Sequence, residues 1–410
     1  MEVLAGRPST TGVIQSRKYQ HVVVIPDTHG DARSYIESLY IAFIEIEGWK
    51  VDRNTFKTAF VNAIAPGTTV SQRTSKKKVV VVQLGDLVDR GPFSLECIQI
   101  TRAIPTVLGW ETVSLIGNHE LLSIMGESDH YIHPVEQEAF GGVSQRNAAF
   151  SPHGAHNFIY RDLLRNSIGI ARLQTTGRAN PQADPNTLFV HAGIELRWMR
   201  RMFGSSGLSS FWDIEAINME FRLYMSSPEG RNLLSANESL VWTRFLSTAN
   251  ERDACPIAEA VLREFNVARI IVGHTPQSDF TAKTRCDGKV ILLDAVMSEY
   301  MIPNNDGSFK GNPVVLVMTL HGDELSSMDV LYGDGERHNM FVQEISPRAI
   351  RLMPRRVPLI PYANEAPPSM HTSTSDADLA SLDVASHPDT YNPNDEMEYD
   401  DNDENDAPRY

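Results

Sequence analysis

The sequence predicts an α/β protein, and three observations predict it. Short apolar runs recur along the chain, and each ends in a polar turn that leads into a stretch of helical character. The 410 residues are 41% hydrophobic, which is enough for one large core with an insertion or a tail. From about Pro354 the composition turns Pro-rich, then Ser/Thr-rich, then acidic, and lacks the apolar content to fold. The expected organisation is a flexible leader over 1–19, a folded body over 20–353 and a disordered tail over 354–410.

The elements follow in order. HVVVIPDTHGD (21–31) reads as a buried strand ending in a polar turn, and ARSYIESLYIAFIEI (32–46) as a helix with apolar residues at roughly helical spacing. Residues 48–78 are mixed in character and end in SQRTSKKK, which reads as a surface insertion with its lysines on a solvated edge. KVVVVQLGDLVDRG (78–91) is the second strand and turn, and Pro92 suits the first position of the helix that follows. ETVSLIGNHE (111–120) is the third. Residues 121–185 look irregular and rich in His, Gly and Asn, as a cap-like region beside a site would be. NTLFVHAGI (186–194) is the fourth strand, residues 208–265 are mostly helical with a break at SLVWTRF (239–245), and VARIIVGHTPQ (267–277) is the fifth strand and turn. KVILLDAVMS (289–298) and NPVVLVMTL (312–320) are further strands, the latter leading into a hairpin, and no internal repeat is visible.

Charge and cysteine usage narrow the class. The net charge of −15 is concentrated at the end: residues 365–410 hold 13 Asp/Glu and one Arg, leaving the rest near −3. A near-neutral body argues against a duplex nucleic-acid binder, which shows a basic face. Cys97, Cys255 and Cys286 are scattered without CxxC spacing, so no disulfide framework and a reducing compartment are expected. Residues 1–20 show no signal-peptide core, and no apolar run approaches the ~18 residues of a membrane span. A cytoplasmic protein without membrane contact is the expectation.

The chemistry sits at the turns. PDTHGD, GDLVDRG, GNHE, VHAG and VGHT each follow an apolar strand, at the end where ligands bind in open α/β sheets. Together they offer Asp27, His29, Asp86, Asn118, His191 and His274, a set of oxygen and imidazole donors with no thiolate. Such donors suit Zn, Mn or Fe. One such turn alone would be ordinary; five, each after a strand, form a pattern.

The ordered motifs D-x-H, G-D-x-x-D-R-G, G-N-H-E, H-A-G and G-H-T resemble the calcineurin-like metallophosphoesterases, and GDLVDRG resembles their phosphoprotein phosphatase branch. DTHGD, FGGVSQRNAAF (140–150), TLFVHAGI, VWTRF and VGHTPQ are most similar to the Shewanella-like, or bacterial-like, phosphatases. The resemblance covers roughly residues 20–340. It implies a four-layer α-β-β-α sandwich and two divalent metal ions, with Mn favoured. Asp27, His29 and Asp86 would hold one ion; Asp86, Asn118, His191 and His274 would hold the other, with Asp86 bridging. A hydroxide between the ions would attack phosphorus in line. His119, oriented by Asp89, would protonate the leaving oxygen. Arg90, Arg244 and Asn118 would bind phosphoryl oxygens, and Arg146 would add a substrate contact. Asp294 lies where the family often has an acidic residue near the metals, either orienting ligands or capping a buried turn.

Two departures bear on this. Pro276 stands where many superfamily members carry a second histidine, a ligand that the phosphoprotein phosphatase branch also lacks. The gap between His29 and Gly85 exceeds the family's usual spacing, which weakens any inference about substrate. The function implied is a metal-dependent phosphomonoesterase acting on phosphoproteins. The alternatives are a dinucleoside polyphosphate or polyphosphate hydrolase on the same core and a catalytically dead binding scaffold. The expected partners are a phosphorylated protein or other phosphate ester, together with a protein partner or the protein's own cationic site for the acidic tail.

Overall fold

Runs of β-branched residues build the centre of the molecule. In the computed structural model, which describes residues 11–48, 51–65, 75–154, 156–177, 183–204, 212–302 and 309–340, these runs form two sheets. β2 (His21–Ile25), β3 (Val79–Gln83), β4 (Glu111–Leu115) and β5 (Ser167–Ile168) pair in parallel, with Val22 opposite Val80 and Val82 opposite Val113. β11 (Val314–His321), β12 (Glu324–Tyr332) and β13 (Arg337–Asn339) extend the sheet antiparallel from β2. The resulting seven-stranded order is β13-β12-β11-β2-β3-β4-β5. β3 is buried along its whole length, as a strand covered on both faces requires. The second sheet has β1 (Val13–Gln15), β6 (Ile170–Gln174), β7 (Thr187–Val190), β8 (Arg269–Val272), β9 (Lys283–Arg285) and β10 (Val290–Leu292), in the order β1-β6-β7-β8-β10-β9.

Helices cover both sheets. α1 (Ala32–Glu47) is capped by Asp31, whose carboxylate accepts from Ser34 N, and is ended by Gly48 at φ 69°. It packs on β2, β11 and β12, while α3 (Ser94–Val107) packs on β4. On the other sheet α9 (Ile214–Ser226) packs on β6, and Phe265 at the end of α12 (Glu251–Phe265) stacks on Trp212 at 5.7 Å. The architecture is the four-layer α-β-β-α sandwich the resemblance implies, with 12 α-helices among the described residues.

The structure corrects several expectations. The leader is not loose up to residue 19, because β1 pairs in parallel with β6, Ile14 opposite Leu173. The insertion is more than a surface loop. Its residues 53–64 form α2 (Arg53–Ile64), which buries Phe56, Phe60 and Ala63 against α1 and α3. Pro92 lies before α3, which starts at Ser94. The cap-like stretch contains α5 (Pro134–Phe140), α6 (Val143–Phe150) and α7 (Phe158–Asn166), but also β5 and β6, so part of it is sheet. Cys255 and Cys286 are joined by a disulfide where free thiols were expected, and Cys97 is a buried thiol. Among the described residues no helix is long and apolar enough to cross a membrane. The tail over 354–410 lies outside the described residues.

Candidate active site

Five strand ends deliver the site. Asp27 and His29 follow β2, Asp86 follows β3, Asn118 and His119 open α4 (Asn118–Met125) after β4, His191 follows β7 and His274 follows β8. The first three strands belong to one sheet and the last two to the other, so the site lies where both sheets end on the same side. Such close approach needs tight turns. His29, Asp86, Asp89, Arg90 and His274 all adopt left-handed φ between 43° and 67°, a conformation that costs about 1–3 kcal/mol per non-glycine residue and marks functional turns. The strain is held by backbone hydrogen bonds across the turns: Thr28 N and His29 N both donate to Asp86 O at 2.9 Å. Glycine is required at Gly117, where a Cβ would lie 2.0 Å from Asp86 Oδ1.

Two groups of potential ligands share Asp86. His29, Asp86 and His119 bring ligand atoms within 4.8 Å of one another, and so do Asp86, His191 and His274. Asp86 Oδ1 accepts from His119 N at 2.9 Å. Its Oδ2 lies 3.7 Å from His29 Nε2 and 3.4 Å from His191 Nε2, between the two halves of the site. Asn118 Oδ1 is 2.9 Å from both His191 Nε2 and His274 Nδ1. Asp27 lies outside both groups. One of its oxygens accepts from His274 N at 2.9 Å, and the other is buried without a hydrogen-bond partner.

The donor set fits cations, and the hydrogen bonds say why. His191 Nδ1 is 3.0 Å from Leu84 O, and a carbonyl only accepts, so this nitrogen carries a proton, and in the neutral ring Nε2 then turns a lone pair toward Asp86 and Asn118. His274 Nε2 is likewise 2.9 Å from Trp242 O, leaving the Nδ1 lone pair on Asn118 Oδ1. Lone pairs aimed at one another repel unless a cation or a proton lies among them. The buried orphan atoms Asp27 Oδ1, His29 Nδ1 and Asp294 Oδ2 carry the same message. The electrostatics of the bare protein agree. Burial, reinforced by Asp294, pushes Asp27 well above the ordinary carboxyl range. Burial lowers His29 well below its usual value. Burial acts to lower His191 too, but Asp86 and Asp27 outweigh it and raise it to about 9. A crowded, buried set of anions and imidazoles is what divalent cations would compensate.

His119 and three arginines lie around the potential ligands. His119 Nδ1 is 2.9 Å from Asp89 Oδ2, so its Nε2 is the atom that can carry a proton outward. Arg244 is exposed and hydrogen bonds to His274 O at 3.1 Å. Arg90 lies over the Tyr131 ring at 5.0 Å, and Tyr131 meets the His119 ring edge-on at 4.9 Å. Arg146, expected to touch substrate, is instead fully buried, with Nη2 2.5 Å from Asp89 Oδ1. It reaches Asp89, not the surface. Asp294 caps the turn after β10 through Val296 N at 3.1 Å, and burial raises it to about 6. Trp242 packs against the core and lies beside the site, with its ring edge-on to His274 at 6.0 Å.

Sequence reasoning missed Glu120 and Tyr131. Glu120 accepts from Asp86 N at 2.9 Å, Leu87 N at 2.7 Å and Gly117 N at 2.7 Å, clasping two of the ligand turns together. Burial beside Asp86 raises it to about 7. Its place in GNHE, at the third position of a helix that begins in the site, was the available signal. Tyr131 had none, because it comes from the irregular stretch after α4.

Comparison with known proteins adds to this geometry. Residues 20–278 match the family model described as calcineurin-like phosphoesterase. The chain is 26% identical over 297 residues to an uncharacterized protein of Schizosaccharomyces pombe, covering 70% of this chain and 76% of that one. It is 23% identical over 345 residues to Shewanella-like protein phosphatase 2 of Arabidopsis thaliana, covering 71% of this chain and 75% of the relative. Among solved structures, the cold-active protein-tyrosine phosphatase of a psychrophilic Shewanella species superposes with a TM-score of 0.54 at 20% identity, over 80% of this chain and 82% of that one. That likeness is one of fold.

Proposed function

The chain belongs to the calcineurin-like phosphoesterase family, and from that premise we propose that it is a metal-dependent phosphomonoesterase that dephosphorylates proteins. The observation that carries the reading is that two potential ligand groups share Asp86 while His119, a member of the first group, is tied through its Nδ1 to the buried Asp89 carboxylate, which suits it to hold a proton. The relatives named as protein phosphatases support a phosphoprotein substrate. Asp27, His29 and Asp86 would hold one cation, and Asp86, Asn118, His191 and His274 the other, with Mn the favoured metal. When bound, two divalent cations supply Lewis acidity and lower the pKa of water toward neutrality.

The protein's own groups do the rest. Arg244 and Arg90 bring charged forks to phosphoryl oxygens, and the Asn118 amide adds a neutral dipole. His119 Nε2 delivers a proton to the departing oxygen as its bond to phosphorus breaks, and Asp89 holds the ring and stabilises the imidazolium that precedes transfer. Leu84 O and Trp242 O orient the rings of His191 and His274.

The test is phosphate release by the purified protein with Mn²⁺, on phosphoserine, phosphothreonine and phosphotyrosine peptides, a dinucleoside tetraphosphate and polyphosphate. Turnover of a peptide class, falling by about 10²–10⁴-fold in His119→Ala, is the expected result. Turnover of the nucleotide or polyphosphate alone would overturn the phosphoprotein reading. No turnover of any substrate, with metals bound, would overturn the enzyme reading.

A further inference from the structure

The cap-like region supplies a closed hydrogen-bond circuit around the carboxylate that holds the acid histidine. Asp89 N donates to Ser94 Oγ at 3.0 Å. Ser94 Oγ donates to Glu136 Oε2 at 2.5 Å. Glu136 Oε1 accepts from Arg146 Nε at 3.0 Å, and Arg146 Nη2 returns to Asp89 Oδ1 at 2.5 Å. Arg146 Nη1 completes its bonding with Ser123 Oγ at 3.0 Å and Ser128 Oγ at 2.9 Å. Every one of these residues is buried, Asp89 and Arg146 completely. The guanidinium also lies over the Phe150 ring at 4.2 Å.

The circuit divides the two oxygens of Asp89 between two tasks. Oδ1 goes to Arg146 and Oδ2 meets His119 Nδ1, with the weaker Ser123 Oγ contact at 3.3 Å from Oδ1 and 3.5 Å from Oδ2. It also grips Asp89 at both ends, backbone through Ser94 and carboxylate through Arg146, at a residue whose φ is 67°. A carboxylate fixed in this way cannot rotate its paired oxygen away from the imidazole. Removing a cation from between two buried anions frees that rotation and leaves charge uncompensated.

We propose that Arg146 and Glu136 are positioning residues for proton delivery: the cap-like helices α5 and α6 set the orientation of His119 through Asp89, without touching substrate. The inference rests on the phosphatase reading for its kinetic consequence but not for its geometry, and the experiment separates the two. The geometric readout is the hydrogen-bonded ring proton of His119 in the proton NMR spectrum, identified by its loss in His119→Asn. It should exchange slowly in the parent protein and at least about 10-fold faster in Arg146→Met and Glu136→Gln, since loosening a charge-assisted hydrogen bond raises its opening equilibrium by about that factor. An unchanged exchange rate in either variant, or the absence of a protected ring proton in the parent, would overturn the proposal. Thermal unfolding is followed alongside. If Arg146→Met does not fold, Glu136→Gln, which keeps side-chain size, carries the decision.

The kinetic readout is leaving-group dependence. Arg146→Met should lower kcat for an alkyl phosphate ester by about 10²-fold with little change in KM, and lower it far less for p-nitrophenyl phosphate, whose leaving group needs no proton. In a His119→Asn background the same substitution should have little further effect. Equal losses on both esters, or losses that multiply with His119→Asn, would show a merely structural role. A parent protein that hydrolyses neither these esters nor any phosphopeptide would sink the phosphatase reading, and the NMR measurement would still decide the positioning claim.

Discussion

Gly273 is bare because Asp27 needs the space. A Cβ at Gly273 would lie 2.1 Å from Asp27 Oδ1, the oxygen left without a partner inside the protein. Gly273→Ala should therefore push this carboxylate aside and reduce bound Mn from roughly two ions per chain to roughly one, read by metal analysis after dialysis, with the circular dichroism spectrum unchanged. Two ions retained would mean that Asp27 Oδ1 does not face a metal. At this scale the sequence was legible where a candidate ligand closely follows an apolar run, as for Asp27, Asp86, His191 and His274. It was not legible where function depends on what a side chain meets across the fold. Arg146 stood out as an arginine near the site, but only the burial of Glu136 and Asp89 on either side determines that it points inward.

The elements show the same division. The Val-rich strands and α1 were readable because burial imposes a simple pattern on them, whereas α2 was hidden in a segment of mixed polarity with only Phe56, Phe60 and Ala63 buried. Its contribution is measurable. Phe60 is fully buried and its ring lies 5.4 Å from that of Phe56, so Phe60→Ala should cost about 3–5 kcal/mol in urea unfolding. A cost near zero would return this helix to the status of a surface insertion. β2 carries a second prediction at its first residue. Burial, aided by Lys77 and His321 and opposed by Glu47, lowers the pKa of His21 from 6.5 to about 4. Between those values the unfolded chain holds a proton that the folded chain does not. The stability from neutral His21 is present above the unfolded pKa and is lost as pH falls toward about 4. The urea midpoint of the parent should therefore drop more steeply than that of His21→Gln between pH 6.5 and pH 4. Parallel pH profiles would show that His21 does not titrate differently on folding.

At the scale of the whole molecule, composition foretold the balance of charge but not the covalent chemistry. Three scattered cysteines carry no spacing signal, and only the fold brings Cys255 of α12 to Cys286 beyond β9, 31 residues away. The tail is the opposite case, read from composition alone: 13 acidic residues and one Arg over 365–410, against a body near −3. If that anionic segment reached a site that takes cations and phosphate, it would compete with substrate by mass action, and the attraction would be long-range. The Debye length falls from about 10 Å at 0.1 M salt to about 3 Å at 1 M, so the competition should fade as salt rises. A chain ending at Asn364 is expected to show a lower KM for a phosphopeptide than the full chain at low ionic strength, with equal kcat and with the two KM values converging at high salt. Equal KM values at low salt would show that the tail does not reach the site, and would leave binding to another protein as the role its charge fits.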